Sequence, residues 1–216
     1  MFEEDQAIKC KIVLIGKSGV GKTSIISRYT TNSFKDSLMT TPGANFTTKK
    51  VEFPQYNKTI KFEIWDTAGQ ERYRSLAKVF YNNASACILV YDITKKDTFN
   101  DIINYWVPEL KDNLNKDVIL ALAGNKSDKY TEAEVSEEEG KSLAKEIKAI
   151  YMRTSAKLNS CIDELFNKIG NKFLNPKTEI TSNLTNEEMI QKNEQMIRDK
   201  IRIDNNNKKK KKKKCC

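Results

Sequence analysis

Gly16-Lys17-Ser18-Gly19-Val20-Gly21-Lys22-Thr23 follows the apolar run Ile12-Val13-Leu14-Ile15 and leads into Ser24-Ile25-Ile26-Ser27-Arg28-Tyr29. Gly, four residues, then Gly-Lys-Thr, set between a buried strand and a helix, is the spacing of a loop that wraps phosphate. Gly19 and Gly21 let the backbone curl so that successive N–H groups face an anion. The helix that begins near Lys22 adds its positive dipole end. The Lys22 ammonium suits outer phosphates, and the Thr23 hydroxyl is a hard oxygen ligand for Mg2+. The bland alternative is a glycine-rich turn. A random chain of this length matches the pattern roughly once in a hundred tries, so the rest of the chain must decide.

The 216 residues suffice for one domain with extensions. The formal net charge is +9, and residues 208–214 are seven consecutive lysines; without those seven the charge falls to +2. The basicity therefore belongs to the tail and not to a nucleic-acid-binding body. The start, Met1-Phe2-Glu3-Glu4-Asp5, is acidic and has no apolar core, which argues against a secretory signal. The longest apolar runs, 86–91 and 118–123, are too short to span a bilayer. Cysteines at 10, 87, 161, 215 and 216 show neither metal-site spacing nor a disulfide framework. Cys10, Cys87 and Cys161 read as small core residues, and a reducing, cytosolic compartment is expected. The sequence has no histidine, which excludes histidine general-base chemistry and histidine metal ligands.

Hydrophobic periodicity places a buried strand at 8–15, a helix to about 31, and a loop over 32–45. Residues 46–53 and 59–66 alternate around turn chemistry at 54–58, which is a hairpin pattern. Helical spacing resumes toward Tyr81, and 86–91 and 118–123 read as buried strands with a helix over 99–114 between them. Ser136-Glu137-Glu138-Glu139 opens a helix with the form of a capping box. A short strand at 149–152 and an amphipathic helix at 162–173 follow. The expectation is an α/β fold: a mainly parallel sheet of six strands, one antiparallel edge strand, and helices on both faces. Ligands in such sheets bind at the carboxyl ends of the strands.

The polar motifs fall at those ends. Trp65-Asp66-Thr67-Ala68-Gly69-Gln70-Glu71 follows the third strand: Asp66 can hold Mg2+ through a water, the Gly69 N–H can approach a terminal phosphate, and Gln70 can orient an attacking water. Gly124-Asn125-Lys126-Ser127-Asp128 comes after the 118–123 strand. A carboxylate at Asp128 can accept from N1–H and the exocyclic amine of guanine, a donor pair that adenine lacks, so GTP is expected over ATP. Thr154-Ser155-Ala156-Lys157 follows the last strand, where backbone N–H groups can read guanine O6.

Taken in order, these motifs make the chain resemble a small GTPase of the Ras superfamily, in its Rab branch, over about residues 9–174. Lys61-Phe62-Glu63-Ile64-Trp65, Arg72-Tyr73-Arg74-Ser75-Leu76 and Leu89-Val90-Tyr91-Asp92-Ile93-Thr94 are similar to Rab segments, and Tyr105-Trp106-Val107 with Glu109-Leu110 is closest to the endosomal subgroup. The resemblance implies a P-loop GTPase domain at 1–174, a flexible hypervariable linker at 175–207 and a polybasic, prenylated tail at 208–216. It implies phosphate binding by Ser18, Gly19, Val20, Gly21, Lys22, Thr23, Ser24 and Gly69, with Gln70 catalytic. Guanine would be held by Phe34, packed edge-on, with Asn125, Lys126, Asp128, Ser155, Ala156 and Lys157. Mg2+ would be held by Thr23, Asp66 and Thr41, the last sensing the γ-phosphate, and effectors would read Phe46, Trp65 and Phe80. Two departures stand out: Pro42 follows Thr41 where an aliphatic residue is usual, with Thr40 a competing hydroxyl, and Asn82-Asn83 replaces an Arg-Gly pair.

From residue 175 the core signal stops. The chain reaches the seven lysines and Cys215-Cys216, a geranylgeranylation end in Rabs. One lipid chain binds a membrane marginally, and two chains, or one with a polybasic run, anchor it. The expected function is a GTP-binding switch that hydrolyses GTP to GDP, slowly without a GAP, and recruits effectors to membranes in vesicle trafficking, in the early endocytic steps. Expected partners are an exchange factor, a GAP, effectors, a GDI-like prenyl-binding chaperone and an anionic membrane, with no nucleic acid. The expected location is the cytoplasmic face of intracellular membranes, in exchange with cytosol. The competing readings are a soluble or nuclear GTPase whose lysines act as a localisation or nucleic-acid signal, and an interaction protein that binds nucleotide but barely hydrolyses it.

Overall fold

The apolar run ahead of the glycine loop becomes β1 (Ile8–Ile15), flanked on both sides by parallel neighbours. The protein is described here as a computed structural model covering residues 7–36, 41, 44–67, 74–115 and 117–176. Its sheet runs β2-β3-β1-β4-β5-β6, with β2 (Ala44–Phe53), β3 (Lys58–Thr67), β4 (Ala86–Asp92), β5 (Ile119–Asn125) and β6 (Ile150–Arg153). Only the β2–β3 pair is antiparallel, joined through a 3₁₀ turn at Pro54–Tyr56. The expected mixed sheet with one antiparallel edge is the observed one.

Side chains alternate across β1, and the two sets enter different cores. Cys10, Ile12 and Leu14 face one layer, covered by α1 (Lys22–Thr31) and α6 (Ile162–Leu174). Val13 and Ile15 face the other, covered by α3 (Lys96–Asp101), α4 (Val107–Asn113) and α5 (Glu137–Glu146), with Tyr81 at the end of α2 (Arg74–Tyr81). In the first layer Tyr29 and Phe166 stack at 3.7 Å with ring planes 4° apart, which locks α1 to α6. Period-2 strands and period-3.6 helices thus meet without a mismatch, as burial on both faces requires.

Three expectations need correction. The helix over 99–114 is interrupted: a π-turn, Ile102–Trp106, separates α3 from α4. The Val107 N–H bonds back to the Ile102 carbonyl, five residues away, just before Pro108. Proline has no N–H and its ring collides with the carbonyl four residues back, so a widened turn lets the helix axis pass Pro108. Second, β5 runs on through Gly124 and Asn125, so these residues lie in the strand and not after it. Third, Cys10 and Cys87 are buried but Cys161 is half-buried, in a left-handed conformation (φ 56°) at the start of α6.

Candidate functional site

Every strand that borders the site ends at the same edge. Leu14 of β1 pairs with Asp66 of β3, and Asp92 of β4 pairs with Asn125 of β5, so Asp66 stands beside the entrance of the glycine loop and Asn125 across from it. Gly16 leaves β1 with φ 142°, where a Cβ would sit 2.2 Å from the Val90 carbonyl oxygen. Gly21 has φ 99°, and a Cβ there would meet the Asn125 amide at 2.3 Å. Glycine is required at both positions. Helix α1 starts at Gly21 with no side-chain cap and no acidic residue in its first turn, so its first N–H groups are open to an anion.

Lys22 is 5% exposed, and its ammonium donates to the carbonyls of Gly16 (2.8 Å) and Lys17 (3.1 Å). Burial lowers its pKa to about 8, with Asp66 pulling the other way. A phosphate in the loop would take over these donors. Val20 contributes backbone only: its side chain is fully buried and its carbonyl accepts from the Asn125 amide at 2.8 Å.

Three oxygens from three elements converge beside the loop. The Thr23 hydroxyl donates to Asp66 Oδ2 at 2.6 Å, Thr41 lies 2.9 Å from Thr23, and Thr41 reaches the same Asp66 oxygen at 3.4 Å. Asp66 is 3% exposed, its Oδ1 has no hydrogen-bond partner, and burial raises its pKa. A buried carboxylate with one oxygen meeting two hydroxyls and the other unpartnered is a hard-oxygen donor set of the kind Mg2+ takes. The residues present therefore fit that ion. The hydroxyl brought to this corner is that of Thr41; Thr40, Pro42, Gly69 and Gln70 lie outside the described residues.

Beyond the loop a cleft of about 410 Å³ opens, lined among others by Ser18, Ser24, Phe34, Asp128 and Lys157. Its floor is built from β5 and the turn after β6. Gly124 is needed because a Cβ would meet the Tyr91 hydroxyl at 2.7 Å. Thr154 donates its N–H to the Gly124 carbonyl at 2.9 Å, and Ser155 Oγ donates to Asp128 Oδ1 at 2.6 Å, which leaves the other carboxylate oxygen of Asp128 to the cleft. The loop carrying Ala156 and Lys157 is closed by paired backbone bonds between Ser155 and Ser160. The seven residues expected around guanine thus come together from three separate stretches of chain.

Lys126 sits in a left-handed conformation (φ 67°), and its ammonium lies 2.7 Å from Asp92 Oδ2. The contact is close in distance but off the hydrogen-bond direction, since that oxygen has no geometrically aligned donor. Asp92 is 1% exposed, and Oδ1 accepts from the Thr94 N–H and hydroxyl. Sequence reasoning gave Asp92 no role; an acidic residue at the carboxyl end of a buried strand was the available signal.

Phe46 and Trp65, paired across β2 and β3, have ring centroids 5.0 Å apart, and Trp65 lies 5.8 Å from Phe80. The three aromatics expected to form one surface do touch, and Phe46 is 46% exposed. Asn83 adopts φ 56°, a left-handed conformation that glycine takes freely and asparagine tolerates best among other residues, so the departure from Arg-Gly keeps the turn. Cys215 and Cys216 lie outside the described residues.

The model of the Ras family matches residues 11–175. Ras-related protein Rab-22A of Homo sapiens is 45% identical over 163 residues, 76% of this chain and 82% of that protein. Ras-related protein RabJ of Dictyostelium discoideum is 44% identical over 168 residues, 78% of this chain and 64% of that protein. Ras-related protein RGP2 of Oryza sativa subsp. japonica is 44% identical over 159 residues, 74% and 72% of the two chains.

Proposed function

The chain belongs to the Rab branch of the Ras family of small GTPases, and from that membership we propose that it is a membrane-recruited switch acting in vesicle trafficking. As a member of that family it is a GTPase, converting GTP to GDP. The observation that carries the proposal is the Thr23–Asp66–Thr41 corner, where the segment ahead of β2 meets the phosphate loop and β3.

Thr23, Asp66 and Thr41 would hold Mg2+, which when bound neutralises phosphate charge. Lys22 and the N–H groups of Ser18 to Ser24 would cradle the phosphates, with Gly69 on the terminal one. Asp128, fixed by Ser155, would accept from guanine, and Phe34 and Lys126 would close on the base. Gln70 would orient the attacking water. Thr41 senses the γ-phosphate through the same corner, so losing that group frees the segment before β2 and changes the surface that carries Phe46, Trp65 and Phe80. Effectors that read these rings would then let go.

Among the described residues lining the cleft none is an arginine. Intrinsic turnover would be slow, and an arginine from a GAP would add roughly 10³–10⁵-fold, the gain typical of small GTPases as a class. The similarity of segments around Trp65 and Trp106 to endosomal Rabs supports an early endocytic step. Cys215 and Cys216 would carry prenyl groups, with residues 208–214 against an anionic leaflet on the cytoplasmic face of the membrane. An exchange factor and a GDI-like chaperone would complete the cycle.

Nucleotide binding and single-turnover hydrolysis by the full chain test the proposal. GTP is expected to bind far ahead of ATP, and Gln70→Leu to slow hydrolysis while leaving binding intact. Equal binding of the two nucleotides, or unchanged hydrolysis in the variant, would overturn it.

A further inference from the structure

Arg28 projects from the last turn of α1 and makes contacts that the nucleotide site as described does not use. Its Nε donates to the Ala156 carbonyl at 2.8 Å and its Nη2 to the Lys157 carbonyl at 3.4 Å. Its Nη1 donates to the Asn32 carbonyl at 2.7 Å and to Asn32 Oδ1 at 3.0 Å, and the guanidinium lies 6.0 Å from the centre of the Phe34 ring. The Asn159 amide also reaches Asn32 Oδ1, at 3.5 Å. One side chain thus ties the end of the phosphate-loop helix, the Ala156–Lys157 loop and the ring that lines the cleft.

We infer that Arg28 is a positioning residue of the base pocket, setting how the Ala156–Lys157 peptide reads the six-position oxygen of guanine. The inference rests on reading the cleft as a guanine site. A trans peptide points its C=O and the following N–H in opposite directions. With the Ala156 carbonyl drawn to Arg28, the Lys157 N–H is turned away from it, and both residues line the cleft. The guanidinium suits this work because it never loses its charge and offers several donors in one rigid plane. A lysine ammonium gathers its donors at a single atom and cannot span the Ala156 carbonyl, the Lys157 carbonyl and Asn32, which Arg28 meets with three separate nitrogens. Phe34, Ala156 and Lys157 are the pocket's base-side walls, so a single tie keeps the three in step.

The test is GDP release from the full-length protein, wild type against Arg28→Ala and Arg28→Lys, followed by the preference for GDP over 6-thio-GDP, whose sulfur is a weak acceptor at the position in question. Charge-assisted hydrogen bonds of this kind put the expected acceleration of release at roughly tenfold for Arg28→Ala, with Arg28→Lys between it and wild type. The preference for GDP over the thio analogue should narrow in both variants. A general loosening of the fold would weaken both ligands alike and leave that ratio unchanged, and this result overturns the proposal, as does release at the wild-type rate. If Arg28→Ala does not fold, Arg28→Lys decides by the same two readings. Wild-type protein that holds ADP as well as GDP would sink the guanine reading itself, whereas guanine preference with an unchanged ratio sinks only the role of Arg28.

Discussion

Lys22 is buried against two carbonyl oxygens, and desolvation brings its pKa down from 10.5 to about 8. The sign of the consequence follows from proton counting. Between about pH 8 and 10 the unfolded chain still holds this proton and the ligand-free folded protein has released it, so the ligand-free protein gains stability as pH rises through that window. A bound polyphosphate favours the ammonium, so binding takes up a proton there and weakens with rising pH, by at most about tenfold per pH unit. Arginine does not titrate in this range. Lys22→Arg is therefore expected to bind GDP less well at neutral pH but with a flatter pH dependence, which calorimetric titration across the window measures. An unflattened slope would assign the dependence to another group.

The same competition between local rule and packing decides matters for whole elements. Helix α5 begins with a complete capping box: the Glu139 N–H donates to Ser136 Oγ at 3.2 Å, and the Ser136 N–H donates to Glu139 Oε2 at 2.9 Å. Ser136→Ala should cost about 1 kcal/mol and lower the melting temperature by roughly 2–4 °C. In α6, Gly170 sits mid-helix, where alanine would gain about 1 kcal/mol of helix propensity. A Cβ there, however, would lie 2.2 Å from Phe53 Cζ on a ring packed between β2 and α6. Overpacking costs about 1–3 kcal/mol, which cancels or exceeds that gain, so Gly170→Ala should fail to raise the melting temperature despite its better helix former. Thermal unfolding of each variant against wild type checks both expectations. The capping box was legible because it is local. Gly170 was not, since its reason is a ring more than a hundred residues away.

At the scale of the whole molecule the charge is divided. The body is nearly balanced and the excess lies in residues 208–214, next to Cys215 and Cys216. No helix among the described residues is long and apolar enough to cross a membrane. On the proposed reading each lysine near an anionic leaflet would contribute roughly 1 kcal/mol before screening, and prenyl chains on the two cysteines would supply the rest. Replacing both cysteines by serine should release the full-length protein from membranes in cell fractionation, leaving at most weak, salt-sensitive binding through the lysines. Unchanged membrane association would refute the lipid anchor, and nuclear retention would favour the localisation-signal reading.

The sequence by itself determined the ligand class and the sheet, because both are written in short-range patterns. Gly16 to Thr23, Asp66 and Asn125 to Asp128 are each local signals, and the alternation over 46–53 and 59–66 needs no partner to be read. Tertiary structure decided which groups meet. It placed the Thr41 hydroxyl at Asp66, brought Phe46, Trp65 and Phe80 into contact, set Asp92 under Lys126, and ran Arg28 to a carbonyl 128 residues further along. It also widened the turn before Pro108. Contacts of that range depend on sheet order and helix packing, and no local spacing encodes them.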